Sequence, residues 1–434
     1  MNSSHYAWVR VSSIKPWKLI LPHYNQTAKI SSMAYTIGHN NQSKSFIISS
    51  KKNVSDLRGA FPVRVIKKNL QYKIGPIVGI LTTSGFKTFR GNRKNFIDII
   101  QTGIKTGVLV YVFTPESIEQ GSKTVKAHLY YPEQKKWDSV SMPLPDVVYN
   151  RIPTRREERL PIVQQTIQFL ETEGIPFFNP HFFNKWSLYQ WMGESHELAP
   201  ILPDTAILER TRLQNLLKKY QMLYLKPIHG KAGIGFMKVQ KKDNLFNLTY
   251  QAQQITYHQQ FVDFNHLWKK VKKLANNKEY IIQQGIHLST YQGRPYDIRV
   301  LVQKNGKGQW HMTGMGIRVA GEQSITTHVP QGGYIQSVDT VFHETFGNEL
   351  TEKWKHKTAL LTTKIAQHIE KKVGHSLGEM SMDLGIDKNG DIWFFEANAK
   401  PMEFDEPNIR QTSLLRLLQY FRYLSGFVPK EVKS

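Results

Sequence analysis

The sequence predicts a multidomain protein: a small β-rich module in front, a parallel α/β domain in the middle, and a larger α+β part behind. Three observations lead there. Two continuously apolar runs, 76–82 and 107–113, flank a stretch with helical spacing, the pattern of buried parallel strands joined by a crossover helix. From about His181 onward, strand-like and helix-like segments alternate in mixed order. Residues 1–73 instead carry short β-prone runs broken by Asn, Ser and Gly. The expected boundaries are therefore 1–73, 74–180 and 181–428, within the two or three domains that 434 residues allow.

The elements follow in order. In the first module, Trp8-Val9-Arg10-Val11, Lys18-Leu19-Ile20-Leu21 and Ser45-Phe46-Ile47-Ile48 read as strands. Pro76-Ile77-Val78-Gly79-Ile80-Leu81-Thr82 reads as a buried strand, 96–105 as a helix, and Gly107-Val108-Leu109-Val110-Tyr111-Val112-Phe113 as a second buried strand. Asp146-Val147-Val148-Tyr149-Asn150 is a third, followed by one helix from Arg156 to about Thr172. Further strands are expected at 280–286, 296–302 and 315–319.

Charge is uneven. Lys and Arg number 58 against 34 Asp and Glu, a formal net charge of +24, which permits polyanionic partners without choosing one. Residues 1–73 hold about twelve bases and one acid, Asp56, either a solvated basic face or an anionic docking surface. The absence of cysteine excludes disulfides, thiolate metal sites and cysteine nucleophiles. No run approaches the roughly 18 apolar residues of a membrane helix, and 1–22 offers no uninterrupted signal core, so a soluble cytoplasmic protein without membrane insertion is expected.

The segment from Leu223 to Val239 contains Lys226 and three glycines, Gly230, Gly233 and Gly235, between two strand-like runs. No Gly-Lys-Ser/Thr ends it, so it is not a Walker loop. Strand rather than helix follows it, so it is not a dinucleotide fingerprint. A strand–glycine loop–strand flap remains, able to bring backbone N–H groups against phosphate oxygens. An ordinary glycine-rich hairpin fits the same residues. Lys185, opening a helix at Asn184-Lys185-Trp186, reads either as a second phosphate-directed cation or as a solvated helix lysine.

From Met382 to Asn398, Asp387 to Gly390 carries strong turn chemistry. Pairing Ile386 with Asp391 sets Asp383 opposite Phe394. Period-two alternation then places Glu396 and Asn398 on the same face, with Glu396 diagonal to Asp383. Three oxygen donors on one face suit magnesium, which takes a few carboxylates and completes its shell from phosphates. A solvent-exposed hairpin face is the alternative. Arg299, in Tyr296-Asp297-Ile298-Arg299-Val300, and Arg318, in Gly316-Ile317-Arg318-Val319, each break an apolar strand and need an anionic partner, a ligand or a structural carboxylate.

Taken in order, Leu225-Lys226-Pro227, the Gly230–Gly235 loop, Asp297-Ile298-Arg299, and Asp383 with Glu396-Ala397-Asn398 resemble the ATP-grasp family. Asn184-Lys185 and Leu202-Pro203-Asp204-Thr205 are similar to its earlier lysine motif and the segment after it. The resemblance covers roughly 75–425. The basic N-terminal part, Val148-Tyr149-Asn150-Arg151-Ile152-Pro153 and Phe178-Asn179-Pro180 look like the YheC/YheD branch, associated with the endospore coat.

That resemblance implies two α+β subdomains clasping ATP. Lys185 and Lys226 would meet its phosphates beneath the Gly230–Gly235 loop. Gln283, Gln284 and Ile286 would line the adenine through backbone groups, with Gln284 standing where an acid is common. Asp383, Glu396 and Asn398 would hold magnesium (Mg2+), while Arg299 and Arg318 would face the transferred phosphate or a substrate carboxylate. The implied activity is carboxylate–amine ligation through an acyl phosphate, with acid and amine unidentified. Two other readings stay open: a nucleotide-binding assembly protein of the spore coat without turnover, with coat proteins as partners, and a non-specific nucleic-acid binder, for which no motif speaks.

Overall fold

Four sheets follow one another along the chain, each with its own hydrophobic face. They are seen in a computed structural model that describes residues 5–21, 35–39, 41–43, 46–50, 57–68, 71–86, 88–230, 234–252, 255–321 and 332–428. The first sheet runs in the spatial order Gln42–Ser43, Tyr35–Ile37, Gln71–Gly75, Phe61–Lys68, His5–Arg10, Trp17–Leu21, Phe46–Ser50. Its inward side chains, among them Val9, Leu19, Val63 and Ile74, share one core with Ile77, Leu109 and Tyr111 of the next sheet.

In the second sheet Ile77–Leu81, Leu109–Phe113, Val147–Asn150 and Phe177–Phe178 are parallel. Burial on both faces explains why Ile77–Leu81 and Leu109–Phe113 are apolar at every position but one, Gly79. Thr124–Tyr131 and Lys136–Pro143 extend one edge antiparallel, so the sheet is mixed rather than wholly parallel. Helix Arg93–Thr106 starts where Asn92 accepts from the Asn95 amide at 3.1 Å and ends at Gly107, whose φ is 72°. The single helix expected from Arg156 is two, Arg155–Glu158 and Pro161–Thr172. Pro161 has no N–H to continue a helix and instead occupies the first position of a new one.

The third sheet is antiparallel, in the order Thr205–Ile207, Tyr280–Gln284, Met222–Pro227, Met237–Lys242, Leu245–Ala252, Ile255–Phe261. Helices Arg210–Lys219 and Phe264–Ala275 cover one face through Leu213, Leu217, Leu267 and Val271, packed on Leu223, Leu225, Val239 and Ile282. Alternation turns Tyr224, Lys226 and Gln283 to the other face. The fourth sheet runs Tyr334–Gln336, Trp310–Val319, Arg294–Lys304, Glu379–Ile386, Ile392–Asn398. Helix Asn348–Val373 covers it through Ile365, Ala366 and Ile369, against Ile298, Val300, Met382 and Leu384. The free faces of the third and fourth sheets enclose a cleft.

Asn179 ties the second sheet to the fourth. Its amide donates to Glu379 O at 2.8 Å and accepts from the Gly378 amide at 2.8 Å, while Asn150 donates to the carbonyls of Asn179 and Pro180. Among the described residues, no helix is long and apolar enough to cross a membrane.

Candidate functional site

The carboxylates are set by a hairpin whose turn holds itself. Asp387 accepts from the amides of Asn389 and Asp391, both at 2.9 Å, and Gly390 takes φ 83°. The pairing is Ile386 with Ile392 and Leu384 with Phe394, one residue away from the register the turn suggested. A β-bulge then makes Phe395 an extra residue, and Asp383 pairs directly with Glu396 rather than diagonally. Phe394 points into the core, whereas Phe395 and Glu396 both line the cleft. Asp383 and Glu396 thus share a face as expected, for a different reason. Asn398 sits opposite Ser381 and donates to Glu396 Oε1 at 3.2 Å.

Arg299 pairs with Asp383 on the neighbouring strand, Nε to Oδ1 3.9 Å, so Arg299, Asp383 and Glu396 form one row across three strands. Asp383 beside it raises the Arg299 guanidinium above its ordinary value. Arg318 is on the same face one pair further along, but its Nη1 donates to Glu406 Oε1 at 2.8 Å. Gly316 makes room for that pair: a Cβ there would stand 2.0 Å from Glu406 Oε1.

Cations come from two other elements. Lys185 begins helix Lys185–Gly193, capped by Asn184, and its ammonium is ion-paired with Glu396. Lys226 crosses from the third sheet, donates to Gln283 Oε1 at 2.6 Å, and lies 5.5 Å from the ring centroids of both Phe236 and Phe395. Burial, only partly offset by Glu396, combines with repulsion from Lys185 to push the Lys226 ammonium down to about 8. Burial alone would raise the Glu396 carboxyl, yet Lys185 and Lys226 outweigh it and hold that carboxyl well below the usual range.

The cleft is about 400 Å³, within the range of small-molecule sites. It brings together Lys226, Gln283, Gln284, Ile286, Asp383 and Glu396. Gln283 serves Lys226 and Thr205 through its side chain, while the Gln284 amide donates to Asp204 O at 2.8 Å, and the neighbouring Gly285 amide to Met222 O at 2.8 Å. Gly230 turns back on Pro227, its amide 3.1 Å from that carbonyl. Gly235 needs its φ of 80°, and its carbonyl accepts from Tyr280 at 3.0 Å. Gly233 lies outside the described residues.

Sequence reasoning missed several residues of this cleft. Tyr224, Lys238, Asp297 and Phe395 also line the cleft. For Tyr224 and Asp297 a signal existed, since each lies two residues from a chosen cation on the same strand and so shares its face. For Phe395 none did, because strict alternation puts it and Glu396 on opposite faces.

A family model described as YheC/D-like ATP-grasp matches residues 174–424. The chain belongs to that ATP-grasp family. It is 31% identical over 372 residues to the endospore coat-associated protein YheD of Bacillus subtilis (strain 168), spanning 83% of this chain and 81% of that protein. It is 24% identical over 306 residues to YheC of the same organism, 68% of this chain and 81% of that one. Among solved structures it is similar to D-alanyl-alanine synthetase A from Vibrio cholerae, with 12% identity and TM-score 0.47 over 82% of this chain and 98% of that one.

The donor set of this ATP-grasp chain fits magnesium. Among the described residues, no group of three His, Asp or Glu is placed to hold a metal. Two opposed carboxylates with an adjacent amide leave the remaining positions to phosphate oxygens and water, as magnesium prefers.

Proposed function

We propose that this protein is an ATP- and magnesium-dependent carboxylate–amine ligase working in association with the spore coat. The observation that carries the reading is that Lys226, Asp383 and Glu396 meet in one cleft, with Lys185 ion-paired to Glu396 at its border, from four separate elements. The coat-associated names of the two relatives support the location.

The chemistry needs no protein nucleophile. A substrate carboxylate oxygen bonds to the γ-phosphorus as the bond to the β,γ-bridging oxygen breaks, releasing ADP. An amine then attacks the acyl phosphate and displaces phosphate, leaving an amide. The first step brings two anions together and the second releases phosphate, so both fall in cost when cations already stand in place. Lys185 and Lys226 would neutralise phosphate oxygens, and Arg299 would face the attacking carboxylate. Asp383, Glu396 and Asn398 would hold magnesium, which supplies charge neutralisation at the phosphates. Lys226, largely walled by Tyr224, Phe236 and Phe395, keeps water from its ammonium, which strengthens its attraction for phosphate.

The test is ADP release in the presence of paired candidate acids and amines. Amine-dependent release by the wild type, lost in Glu396→Ala, is expected. Nucleotide binding without release for any pair would favour a coat assembly protein that keeps the fold and not the turnover.

A further inference from the structure

Both ends of the glycine loop are fastened at one place, the start of strand Tyr280–Gln284. On the near side the Ile228 amide donates to Glu279 O at 2.9 Å. Gly230 turns back on Pro227, which pairs with Tyr280. On the far side the Tyr280 hydroxyl donates to Gly235 O at 3.0 Å. A Cβ on Gly235 would stand 3.0 Å from that hydroxyl and 3.1 Å from Pro227 Cγ, so the backbone comes close here.

Tyr280 itself does not line the cleft. Its side chain is 4% exposed and belongs to the core on the other face of the third sheet, with Leu225, Met237 and Ile282. A hydroxyl in such surroundings costs stability unless it is bonded, and phenylalanine would fill the space without that cost. The bond to Gly235 is what tyrosine adds.

Gly235 O lies in the peptide plane that Gly235 shares with Phe236, so holding that oxygen fixes where the Phe236 backbone begins. The strand ladder does not fix it, because Met237 is the first residue of its strand to pair, with Leu225. Phe236 is 8% exposed, lines the cleft, and its ring centroid is 5.5 Å from the Lys226 ammonium. One line of contacts therefore runs from core to cleft: the Tyr280 hydroxyl, the Gly235 carbonyl, the Phe236 ring and the Lys226 ammonium.

We infer that Tyr280 is a positioning residue for nucleotide binding, whose hydroxyl holds the Gly235–Phe236 peptide so that the Phe236 ring stands against Lys226. It acts through Phe236 and touches no ligand. The inference rests on the ligase reading, in which Lys226 meets phosphate. An ordered ring beside the ammonium keeps water from it and leaves it directed at the anion.

The experiment is calorimetric titration with Mg·ADP. Tyr280→Phe removes the hydroxyl and keeps the ring, and should weaken binding about fivefold, the scale of one net hydrogen bond. Phe236→Leu should weaken it by a similar factor, and the double variant no further than either alone, because both remove the same wall. A merely structural role for Tyr280 would let the two losses multiply. Gly235→Ala, which crowds the hydroxyl from the other side, should reproduce the loss and serves as the second variant. In protein carrying 13C-labelled lysine, the Lys226 ε-methylene resonance should lose its ring-current shift in Tyr280→Phe as it does in Phe236→Leu. Wild-type affinity in Tyr280→Phe, losses that multiply in the double variant, or a Lys226 resonance that moves only in Phe236→Leu would overturn the role while leaving nucleotide binding in place. Failure of the wild type to bind Mg·ADP at all would instead remove the ligase reading, and this inference with it.

Discussion

Asp383 faces Glu396 across adjacent strands because Phe395 is an extra residue in its strand. Continued without the bulge, the Ile386–Ile392 pairing would set Asp383 opposite Phe395 and send Glu396 into the apolar core. The bulge lets an aromatic ring and a carboxylate stand side by side on one face, so that Phe395 walls Lys226 while Glu396 attracts it. Bulges re-aim side chains in this way without breaking a sheet.

Replacing Phe395 by Ala should keep the register and open the wall around Lys226. The ammonium then gains water, its pKa rises from about 8 toward the ordinary lysine range, and nucleotide affinity falls about fivefold. Titration of the Lys226 side chain by NMR, beside calorimetry, checks both halves.

Glu396→Gln separates metal from phosphate. With magnesium, nucleotide affinity should fall by at least about tenfold, because one hard anionic ligand is gone. With the metal chelated, affinity should instead rise, since Lys185 and Lys226 no longer have a competing carboxylate. A fall under both conditions would show that Glu396 does not serve as a metal ligand.

The pH dependence of nucleotide binding follows from Lys226. Its folded-state pKa is depressed to about 8, so the ammonium is charged below that pH and lost above it. Affinity should be steady from pH 6 to about 7.5 and fall above 8, with proton uptake on binding near pH 8. Glu396 titrates well below this window and adds no limb to it. Lys226→Arg should abolish the alkaline fall, as guanidinium stays charged. A profile unchanged by that substitution would exclude Lys226 as its source.

Arg299 and Arg318, alike in the sequence, should behave differently. Arg318→Ala leaves Glu406 without its partner in a site where Glu406 Oε2 already lacks a hydrogen bond, and should cost about 2 kcal/mol of stability with nucleotide binding intact. Arg299→Ala should leave stability within about 1 kcal/mol and reduce turnover by tenfold or more. Denaturant unfolding and ADP release distinguish the two.

Lys400 and Glu158 form a pair with side chains only 3% and 7% exposed. Burial pushes the Lys400 ammonium down to about 8 and the Glu158 carboxyl up, so each depends on the other to stay charged. Lys400→Met alone should destabilise by about 3 kcal/mol, and Lys400→Met with Glu158→Leu by less, because no charge is then stranded. Denaturant midpoints for the single and double variants decide it.

Periodicity made much of this protein legible before any coordinates. The apolar runs at 77–81 and 109–113 read as buried strands, the glycines at 230, 233 and 235 marked a loop between two strands, and Lys226, Asp383 and Glu396 stood out as charges within apolar strands. What local pattern left ambiguous was pairing. The two arginines look equivalent along the chain, yet Glu406, 88 residues after Arg318, neutralises only that one. Pro161 was visible and its effect missed: the helix starting before it stops rather than bends.

The sequence by itself determined which residues are charged, which faces are apolar and where the chain must turn, because those depend on neighbours a few positions apart. Only the tertiary structure decided that Phe395 bulges, that Arg318 is spent on Glu406, and that Lys185 meets Glu396. Each of these depends on contacts between residues distant in sequence, and a contact of that kind leaves no periodic trace in either partner.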